Sequence, residues 1–337
     1  MTVEEFLKEW HSESPTVLVH TSGSTGQPKP MLVEKRRMEA SARITCRFLR
    51  LRKGDTALLC MPLDYIAGKM MVVRALTCGL RLLTVEPSGH PLARWASTQR
   101  GQSLCNSLRS SHEGQSPSID FAAMVPLQVW NSLQVPEERE RLMAIRHLII
   151  GGGAIDASLA EELKDFPNAV WSTYGMTETL SHIALRRLNG PEATEWYTPF
   201  EGVTLSQTEE GCLVIDAPAV HEEQLVTNDI VEFESLGRRF RVLGRKDNVI
   251  CSGGIKIQAE EVERRLEGKL LAPFLITRCR DPRLGEAVVL LTEGDEAEAR
   301  AVCDAALPRY WRPRQVVHVA SLPRTATGKP LRKPYEM

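Results

Sequence analysis

Short apolar clusters alternate with longer stretches of helical spacing along the first 200 residues. The clusters are rich in β-branched and large aliphatic residues, which is typical of buried strands. Strands that alternate with helices indicate an α/β domain built on a largely parallel sheet. The pattern predicts strands within residues 16–21, 55–62, 80–87, 121–125, 145–150 and 168–175.

Two of the stretches between these strands have clear helical patterns. Residues 33–50 place Met38, Ala42 and Thr45 on one face of a helix. The segment "GKMMVVRALTCG" (68–79) is apolar on most sides and ends in glycine. A buried helix that stops at this glycine is therefore expected.

The pattern changes near residue 200. Short stretches of alternating polar and apolar residues predict a mostly antiparallel, β-rich subdomain, and a small α+β unit follows it. We expect an N-terminal domain of residues 1–243, a connection at 244–247 and a C-terminal domain of residues 248–337. The polar, serine-rich residues 97–118 predict a long surface connection.

The composition is that of an ordinary globular enzyme. The 42 basic and 43 acidic residues give a net charge of −1, which indicates no basic face for nucleic acid. No apolar run approaches the roughly 18 residues that a membrane-spanning helix needs, and the acidic first residues do not resemble a secretion signal. Eight cysteines are scattered singly, which favours reduced thiols over a zinc site and predicts a cytoplasmic protein.

A loop rich in hydroxyl groups and glycine follows the first predicted strand. In "HTSGSTGQPKP" (20–30), backbone N–H groups and hydroxyls can surround an anion, and Lys29 adds a positive charge. The loop therefore suits the β- and γ-phosphates of a nucleotide, although a plain flexible linker has the same composition. Gly23 and Gly26 are only three positions apart, which does not fit the Walker loop.

The loop is one of five motifs whose order resembles that of the adenylate-forming superfamily, which includes acyl-CoA synthetases, peptide-synthetase adenylation domains and luciferases. The resemblance implies a large domain, a small mobile lid domain and a two-step reaction. A carboxylate attacks the α-phosphate of ATP, and a thiol then displaces AMP. The motifs are "TSGSTGQPK" (21–29), "YGMTE" (174–178), "TND" (227–229), "GRKDNVICSGGIKIQAEEVE" (244–263) and "PRTATGK" (323–329).

The resemblance implies a nucleotide site. Tyr174 would offer its face to the adenine, with the backbone of residues 151–153 opposite. Asp229 would accept hydrogen bonds from both ribose hydroxyls, and Arg245 would help at the ribose and phosphate side. A Rossmann fingerprint is excluded, because Asp156 stands where its third glycine would be. The implied ATP-binding residues are Thr21, Ser22, Gly23, Ser24, Thr25, Gly26, Lys29, Gly151, Gly152, Gly153, Tyr174, Gly175, Asp229 and Arg245.

Three residues would carry the first chemical step in such an enzyme. Glu178 would hold Mg²⁺, a hard cation that prefers carboxylate and phosphate oxygens. Thr177 would hydrogen-bond the α-phosphate. Lys329 would stabilise the negative charge that spreads over the phosphate oxygens during displacement. The resemblance thus implies ATP, Mg²⁺ and coenzyme A as cofactors and co-substrates.

The same resemblance implies a hinge at Asp247, in a loop that can absorb a change of φ and ψ. A rotation there would withdraw Lys329 and bring Ser252, Gly253 and Gly254 to the site. Glycines at that point leave room for the pantetheine arm of CoA. A simple β-turn would account for these three residues equally well.

Residues 61–79, "MPLDYIAGKMMVVRALTCG", align with the family's acyl-pocket segment. Many members carry an aromatic residue and a histidine where this chain has Asp64 and Tyr65, so we expect Tyr65 to act there instead. Lys69 and Arg74 place two cations on an apolar helix. A buried cation needs a partner, either a protein carboxylate or a second carboxylate on the substrate, whereas a surface-facing arginine needs none.

The segment "YGMTETLSHI" (174–183) resembles the o-succinylbenzoate–CoA ligases of menaquinone synthesis, some of which carry an arginine at the position of Arg74. Their dicarboxylate substrate fits a cation in the pocket, which Thr179 and Ser181 would line. The resemblance implies a reaction of o-succinylbenzoate, ATP and CoA that gives o-succinylbenzoyl-CoA, AMP and pyrophosphate.

Other functions fit parts of the pattern. A different aryl or acyl acid, or a carrier-protein thiol in place of CoA, would leave the same motifs. A non-catalytic nucleotide-binding paralogue would be marked by lost catalytic groups, but Glu178, Asp229 and Lys329 are all present. A kinase is disfavoured by the loop spacing and by the absence of kinase motifs.

Members of the superfamily carry a much longer segment before the phosphate loop than the 20 residues found here. We therefore expect an N-terminal subdomain to be missing or much reduced. Its loss would expose apolar surface, which a homodimer or a compact variant fold would cover.

Overall fold

The structure, a computed structural model, describes most of the chain in five segments, which are residues 1–20, 30–93, 118–235, 237–324 and 330–336. Contacts divide the chain into two units. The first unit consists of residues 1–204 with 216–224, and the second consists of residues 205–215 with 225–337.

The described segments contain eight helices and eighteen strands. The helices are α1 (Val3–Trp10), α2 (Lys35–Phe48), α3 (Ile66–Cys78), α4 (Pro126–Leu133), α5 (Pro136–Met143), α6 (Ala157–Leu163), α7 (Ala259–Leu266) and α8 (Glu296–Ala306). The strands are β1 (Thr16–His20), β2 (Pro30–Glu34), β3 (Thr56–Leu59), β4 (Arg81–Thr84), β5 (Phe121–Met124), β6 (His147–Ile150), β7 (Ala169–Gly175), β8 (His182–Arg187), β9 (Thr198–Pro199), β10 (Thr204–Gln207), β11 (Cys212–Asp216), β12 (Leu225–Phe233), β13 (Phe240–Arg245), β14 (Val249–Ser252), β15 (Ile255–Gln258), β16 (Phe274–Asp281), β17 (Gly285–Thr292) and β18 (Gln315–His318).

A seven-stranded sheet forms the centre of the first unit. Its strand order is β4-β3-β5-β6-β7-β8-β9; the pairs from β4 to β7 are parallel, and β8 and β9 are antiparallel additions. Every residue of β3 and β5 is buried, as expected for parallel strands that are covered on both faces. The predicted α/β class and largely parallel sheet are confirmed.

Helices cover both faces of this sheet. On one face, Val129 of α4 and Leu163 of α6 pack against Leu148 of β6 in a continuous apolar core. On the other face lie α2 and α3, and Phe48 of α2 contacts Trp171 of β7 edge-on, with 5.6 Å between the ring centroids. The burial of apolar surface on both sides holds the strand ends in fixed positions.

The second helix begins later than its pattern predicts. Residues Pro30–Glu34 form β2, which pairs antiparallel with β1, and α2 starts only at Lys35. The expected start at residue 33 was wrong, because the helical spacing of residues 33–50 gives no sign that residues 30–34 pair with a strand earlier in the chain. The buried face of Met38, Ala42 and Thr45 is confirmed.

The apolar helix α3 has the predicted form. Eight of its residues in succession, 68–75, are buried, and it ends at Gly79 in the left-handed conformation, with φ of 68°. Glycine adopts this conformation without the penalty that a Cβ imposes, which is why it commonly ends helices. The helix therefore presents polar side chains at positions 69 and 74 to the protein interior.

The second unit is built mainly from antiparallel strands. One sheet has the order β10-β11-β12-β13, and another has the order β15-β14-β17-β16, with β18 parallel to β17. Val262 of α7 and Cys303 of α8 pack against Ile276 and Leu290 of the second sheet. The β-rich segment and the α+β segment predicted from the sequence are both present.

The predicted domain limits, 1–243 and 248–337, stay predictions, as does the hinge at 244–247. Contacts group the sheet of β10–β13 with the C-terminal residues, whereas the sequence pattern grouped it with the N-terminal domain.

Residues 97–117 of the predicted surface connection lie outside the described segments. Within the described segments all seven cysteines are free thiols, and no helix is long and apolar enough to cross a membrane.

Replacement of Leu148 by alanine should destabilise the first unit by about 2–5 kcal/mol, because it leaves a cavity in the middle of a covered sheet. Denaturant unfolding followed by tryptophan fluorescence would measure the change. Leu127→Ala is the matched control, since Leu127 is 64% exposed and its truncation should change the stability by no more than about 0.5 kcal/mol. Equal losses in the two variants would contradict this account of the core.

Candidate active site

The carboxyl ends of β6 and β7 lie side by side, because these parallel strands pair in register from His147↔Ala169 to Ile150↔Ser172. Residues 151–153 therefore leave the sheet next to Tyr174. Ligands of open α/β sheets bind at this edge. The structure thus brings together the glycines and the tyrosine that the sequence assigned to one nucleotide site.

Two of the three glycines have structural reasons of their own. A Cβ on Gly151 would overlap the hydroxyl of Thr173, and Gly152 has φ of 78°. Asp156 then caps α6, where its Oδ1 accepts a hydrogen bond from the Leu159 N–H at 2.8 Å. The interpretation of this segment as a strand-to-helix turn is confirmed, and its contact with adenine stays a prediction.

Thr179 fixes the loop that follows Tyr174. Its fully buried hydroxyl accepts a hydrogen bond from the Met176 N–H at 3.0 Å and donates to the Ser181 carbonyl oxygen at 2.7 Å. Leu180 between them has φ of 64°, a conformation that is unfavourable for a branched side chain and is concentrated at functional sites. The hydroxyl of Thr179 is therefore used within the loop, and its predicted contact with substrate stays a prediction.

Thr177 and Glu178 lie in the same turn. Thr177 is buried, and its carbonyl oxygen accepts a hydrogen bond from the Leu180 N–H at 2.9 Å, while Glu178 is half-buried. No cluster of three metal-ligating side chains occurs within the described segments. Proteins commonly bind Mg²⁺ through one or two carboxylates together with phosphate oxygens and water, and Glu178 could supply one such carboxylate.

Arg74 of α3 is buried and has few partners. It is 2% exposed, its Nη2 donates to Ser181 Oγ at 2.7 Å, and its guanidinium lies 5.9 Å from the ring centre of Phe121. Burial lowers the pKa of Arg74 to about 10. Among the described residues no carboxylate lies within ion-pair distance, and Arg74 Nε has no hydrogen-bond partner.

Lys69 has protein partners instead. Its Nζ donates to the Leu18 carbonyl oxygen at 2.6 Å and lies 3.8 Å from Glu9 Oε2 and 5.5 Å from the Phe6 ring centre. Burial lowers the pKa of Lys69, and the charge of Glu9 opposes this shift. These contacts join α3 to α1 and β1 and leave a role for Lys69 in substrate binding as a prediction.

Tyr65 lies at the start of α3 and is 44% exposed. Its neighbour Asp64 forms an ion pair with the N-terminal amine of Met1 at 3.3 Å. The exposed ring is available to a ligand, but its action at the acyl pocket stays a prediction.

The residues assigned to the ribose and the hinge form a polar cluster of their own in the second unit. Asp229 and Arg245 are opposite each other in β12 and β13, with 3.9 Å between Oδ1 and Nη1. Arg245 Nη2 donates to Asp247 Oδ2 at 3.0 Å, and the Asp247 carbonyl oxygen accepts from Arg278 at 3.1 Å. Asp247 is thus held by two arginines, and its service as a pivot stays a prediction.

Residues 252–254 form the turn between β14 and β15. Ser252 pairs with Ile255, and the two glycines between them have φ of 57° and 82°, which is the backbone of a two-residue hairpin of type I′. The turn interpretation is confirmed. The predicted contact of Ser252, Gly253 and Gly254 with CoA stays a prediction.

Two predicted elements lie outside the described segments. They are the phosphate loop, Thr21–Lys29, and the C-terminal lysine, Lys329. The strands that flank the loop are described, and His20 at the end of β1 pairs with Pro30 at the start of β2.

His182 is a residue of this site that the sequence motifs did not single out. It is 7% exposed, and its two ring nitrogens lie 3.1 Å from Ser181 Oγ and 3.1 Å from Thr45 Oγ1. A histidine that follows the motif serine at the start of an apolar strand was the available signal. Its partner Thr45 is far away in sequence, which is why spacing alone did not reveal the pair.

A family model described as "AMP-binding enzyme" matches residues 3–209, more than half of the chain. The chain belongs to this family of AMP-binding enzymes. The family assignment confirms the resemblance to adenylate-forming enzymes. The protein is accordingly an enzyme of the AMP-forming acid–thiol ligase class.

Known AMP-binding enzymes resemble this chain over nearly its whole length. The 2-succinylbenzoate–CoA ligase of Bacillus mycoides is 25% identical, with 98% of this chain and 72% of that protein aligned. A solved acyl-CoA synthetase (AMP-forming)/AMP-acid ligase II-like protein from Dyadobacter fermentans is 32% identical, with a TM-score of 0.63, 97% of this chain and 90% of that chain. The o-succinylbenzoate CoA synthetase of Bacillus subtilis, solved with ATP and magnesium ion, is 22% identical, with a TM-score of 0.73, 94% of this chain and 68% of that chain, and it supports the fold.

Replacement of Gly175 by alanine should disrupt the loop that carries Ser181. A Cβ at this position would overlap the carbonyl oxygen of Ser181 and the backbone of His182, and forced overpacking costs about 1–3 kcal/mol or more. Thermal unfolding would measure the loss. Gly89→Ala is the control, because its Cβ would meet only the movable amide of Asn131 at 3.0 Å. A Gly175→Ala protein as stable as this control would contradict the described loop.

Proposed function

We propose that this AMP-binding enzyme joins o-succinylbenzoate to coenzyme A through an acyl-adenylate, as a step of menaquinone synthesis in the cytoplasm. Its products would be o-succinylbenzoyl-CoA, AMP and pyrophosphate. The names of the relatives and the motif "YGMTETLS" (174–181) support this choice of acid. A homodimer stays a prediction from the sequence.

The observation that carries the proposal is the isolated buried charge of Arg74. A guanidinium without a counter-ion is costly to bury, yet among the described residues its strongest partner is the neutral hydroxyl of Ser181. Arginine presents five donors, of which Ser181 Oγ takes one and the weak acceptor Met71 Sδ, at 3.7 Å, takes another, and the buried Nε has no partner. A carboxylate on the far side of an acid substrate would supply the missing charge and the missing acceptors.

The second feature in favour of this acid is the position of Ser181. It follows directly on the turn of Thr177 and Glu178, to which the family resemblance assigns the α-phosphate and Mg²⁺. An acid whose reacting carboxylate lies at that turn and whose second carboxylate lies at Arg74 would span a short distance along one loop. A small aromatic dicarboxylate has two such groups, whereas benzoate and fatty acids have one.

Three residues of this chain would have separate roles in the first chemical step. When bound, ATP supplies the activated phosphorus and Mg²⁺ neutralises part of the phosphate charge. Glu178 would hold the ion, Thr177 would donate a hydrogen bond to the α-phosphate, and Lys329 would stabilise the charge that develops in the first step. These assignments follow from the motifs, and a substitution of each residue would test its role.

Two alternatives have the same motifs. One is a different aryl or acyl acid, and the other is a carrier-protein thiol in place of CoA. The charge of Arg74 disfavours an acid with a single carboxylate. Release of AMP measured with free CoA and with a carrier protein would separate the two thiols.

Acid specificity tests the proposal. Pyrophosphate release is measured with ATP, Mg²⁺ and CoA. Its kcat/KM should be at least about tenfold higher for o-succinylbenzoate than for benzoate or octanoate, which corresponds to a difference of about 1.4 kcal/mol in transition-state stabilisation. Arg74→Met should remove most of this preference, because it keeps the volume and deletes the charge. Arg81→Met is the matched control, since Arg81 also donates to a hydroxyl, that of Thr56 at 2.7 Å, but lies on β4. Equal rates for the three acids in the unaltered enzyme would rule out the proposed acid.

The two-step mechanism is tested at Lys329. Lys329→Ala should reduce pyrophosphate release by about 10²- to 10³-fold, the usual loss when one stabilising group is removed. Thioester formation from supplied acyl-adenylate should stay nearly unchanged, because the lysine acts only in the first step. Lys333→Ala is a control for charge in the same segment. An equal loss of pyrophosphate release and of thioester formation would contradict the assignment of Lys329 to the first step alone.

A further inference from the structure

A continuous chain of hydrogen bonds leads from Arg74 through the interior of the first unit. Arg74 Nη2 contacts Ser181 Oγ at 2.7 Å, and Ser181 Oγ contacts His182 Nδ1 at 3.1 Å. His182 Nε2 contacts Thr45 Oγ1 at 3.1 Å, and Thr45 Oγ1 contacts the Ser41 carbonyl oxygen at 3.1 Å. This hydrogen-bond chain therefore joins α3, β8 and α2.

The two ends of the hydrogen-bond chain, together with a neutral His182 ring, determine where every proton lies. A guanidinium only donates, so Ser181 accepts from Arg74, and a carbonyl oxygen only accepts, so Thr45 donates its single proton to Ser41. Thr45 must then accept from the Nε2–H of His182. Because a neutral imidazole has one donor and one acceptor, Nδ1 is unprotonated and accepts the hydroxyl proton of Ser181.

The surroundings of His182 keep its ring neutral and fixed. Burial lowers the pKa of His182 well below its usual value, and the charge of Arg74 lowers it further. The ring of Phe200 lies edge-on at 5.5 Å. Because a protonated Nδ1 would donate to Ser181 Oγ instead of accepting from it, the proton order given above belongs to the neutral ring, which burial next to Arg74 favours.

We propose that His182 is a positioning residue, which holds the Ser181 hydroxyl as an acceptor and so orients the guanidinium of Arg74 toward the second carboxylate of the acid. If His182 did not take the hydroxyl proton, Ser181 could rotate and present that proton to the guanidinium. Two donors would then face each other, and Arg74 would lose its only strong neutral partner among the described residues. This role rests on the proposed function, in which Arg74 receives that carboxylate.

Two kinds of variant separate positioning from simple support of the fold. Thr45→Val keeps the shape but removes the acceptor at the far end, and His182→Leu removes both ring contacts. His182→Asn retains an acceptor close to the position of Nδ1. We expect the KM for o-succinylbenzoate to rise about tenfold in His182→Leu, about threefold in Thr45→Val and least in His182→Asn. The KM for ATP and the rate with benzoate should stay within twofold in all three.

Thr292→Val is the matched control, because Thr292 is also a buried threonine that donates to a carbonyl oxygen, that of Pro273 at 3.3 Å, but lies in the second unit. A merely structural role for His182 would change the KM for ATP, the benzoate rate and the KM for o-succinylbenzoate together. Unchanged KM for o-succinylbenzoate in both His182→Leu and Thr45→Val would overturn the positioning role.

Nitrogen-15 NMR of the unaltered protein tests the proton order without any substrate. The signals of His182, assigned by their loss in His182→Asn, should show Nε2 protonated and Nδ1 unprotonated. The opposite tautomer or a protonated ring at neutral pH would overturn the inference. Failure of the unaltered enzyme to use o-succinylbenzoate would instead overturn the proposed acid, and the NMR result would be unaffected by it.

Discussion

The hydrogen bond between Arg74 and Ser181 is the interaction on which the rest of the site depends. It links the buried helix α3 to the loop after β7, at 2.7 Å. A buried guanidinium with no counter-ion opposes folding, so the surrounding protein must hold it in place. The loop does so with a hydroxyl, a neutral group that limits the cost of desolvation without cancelling the charge. Among the described residues the charge of Arg74 thus has no counter-ion.

The backbone around Ser181 is arranged to keep that hydroxyl in position. Gly175 allows the chain to pass close behind residues 181 and 182, and Leu180 adopts a positive φ that turns Ser181 toward α3. Thr179 closes the turn through its hydroxyl. Strain of about 1–3 kcal/mol at a residue such as Leu180 persists only where neighbouring contacts enforce it. Such strain next to a buried charge is consistent with a preorganised binding site.

The sequence predicts the strands and helices well where one pattern decides the structure. Burial on both faces makes β3 and β5 continuously apolar, and the glycine after α3 marks its end. It predicts less where a partner is distant. The pairing of β1 with β2, and the bond of His182 to Thr45, join residues whose relation has no local signature. The phosphate loop and Lys329 rest on motif alone, since they lie outside the described segments.

The two cations of α3 show why a binding site cannot be identified from composition alone. Lys69 and Arg74 are five residues apart, so they point about 140° away from each other around the helix axis. One direction leads to Glu9 and the Leu18 carbonyl oxygen, and the other leads to Ser181 and a described surrounding without carboxylates. Both side chains are buried to the same degree. Of the two, only Arg74 has a buried donor without a described hydrogen-bond partner. Only Arg74 could therefore gain a missing acceptor from a ligand. Of the two cations, Arg74 is therefore the one whose charge the described residues leave uncompensated, which is why the proposed preference for a dicarboxylate rests on it.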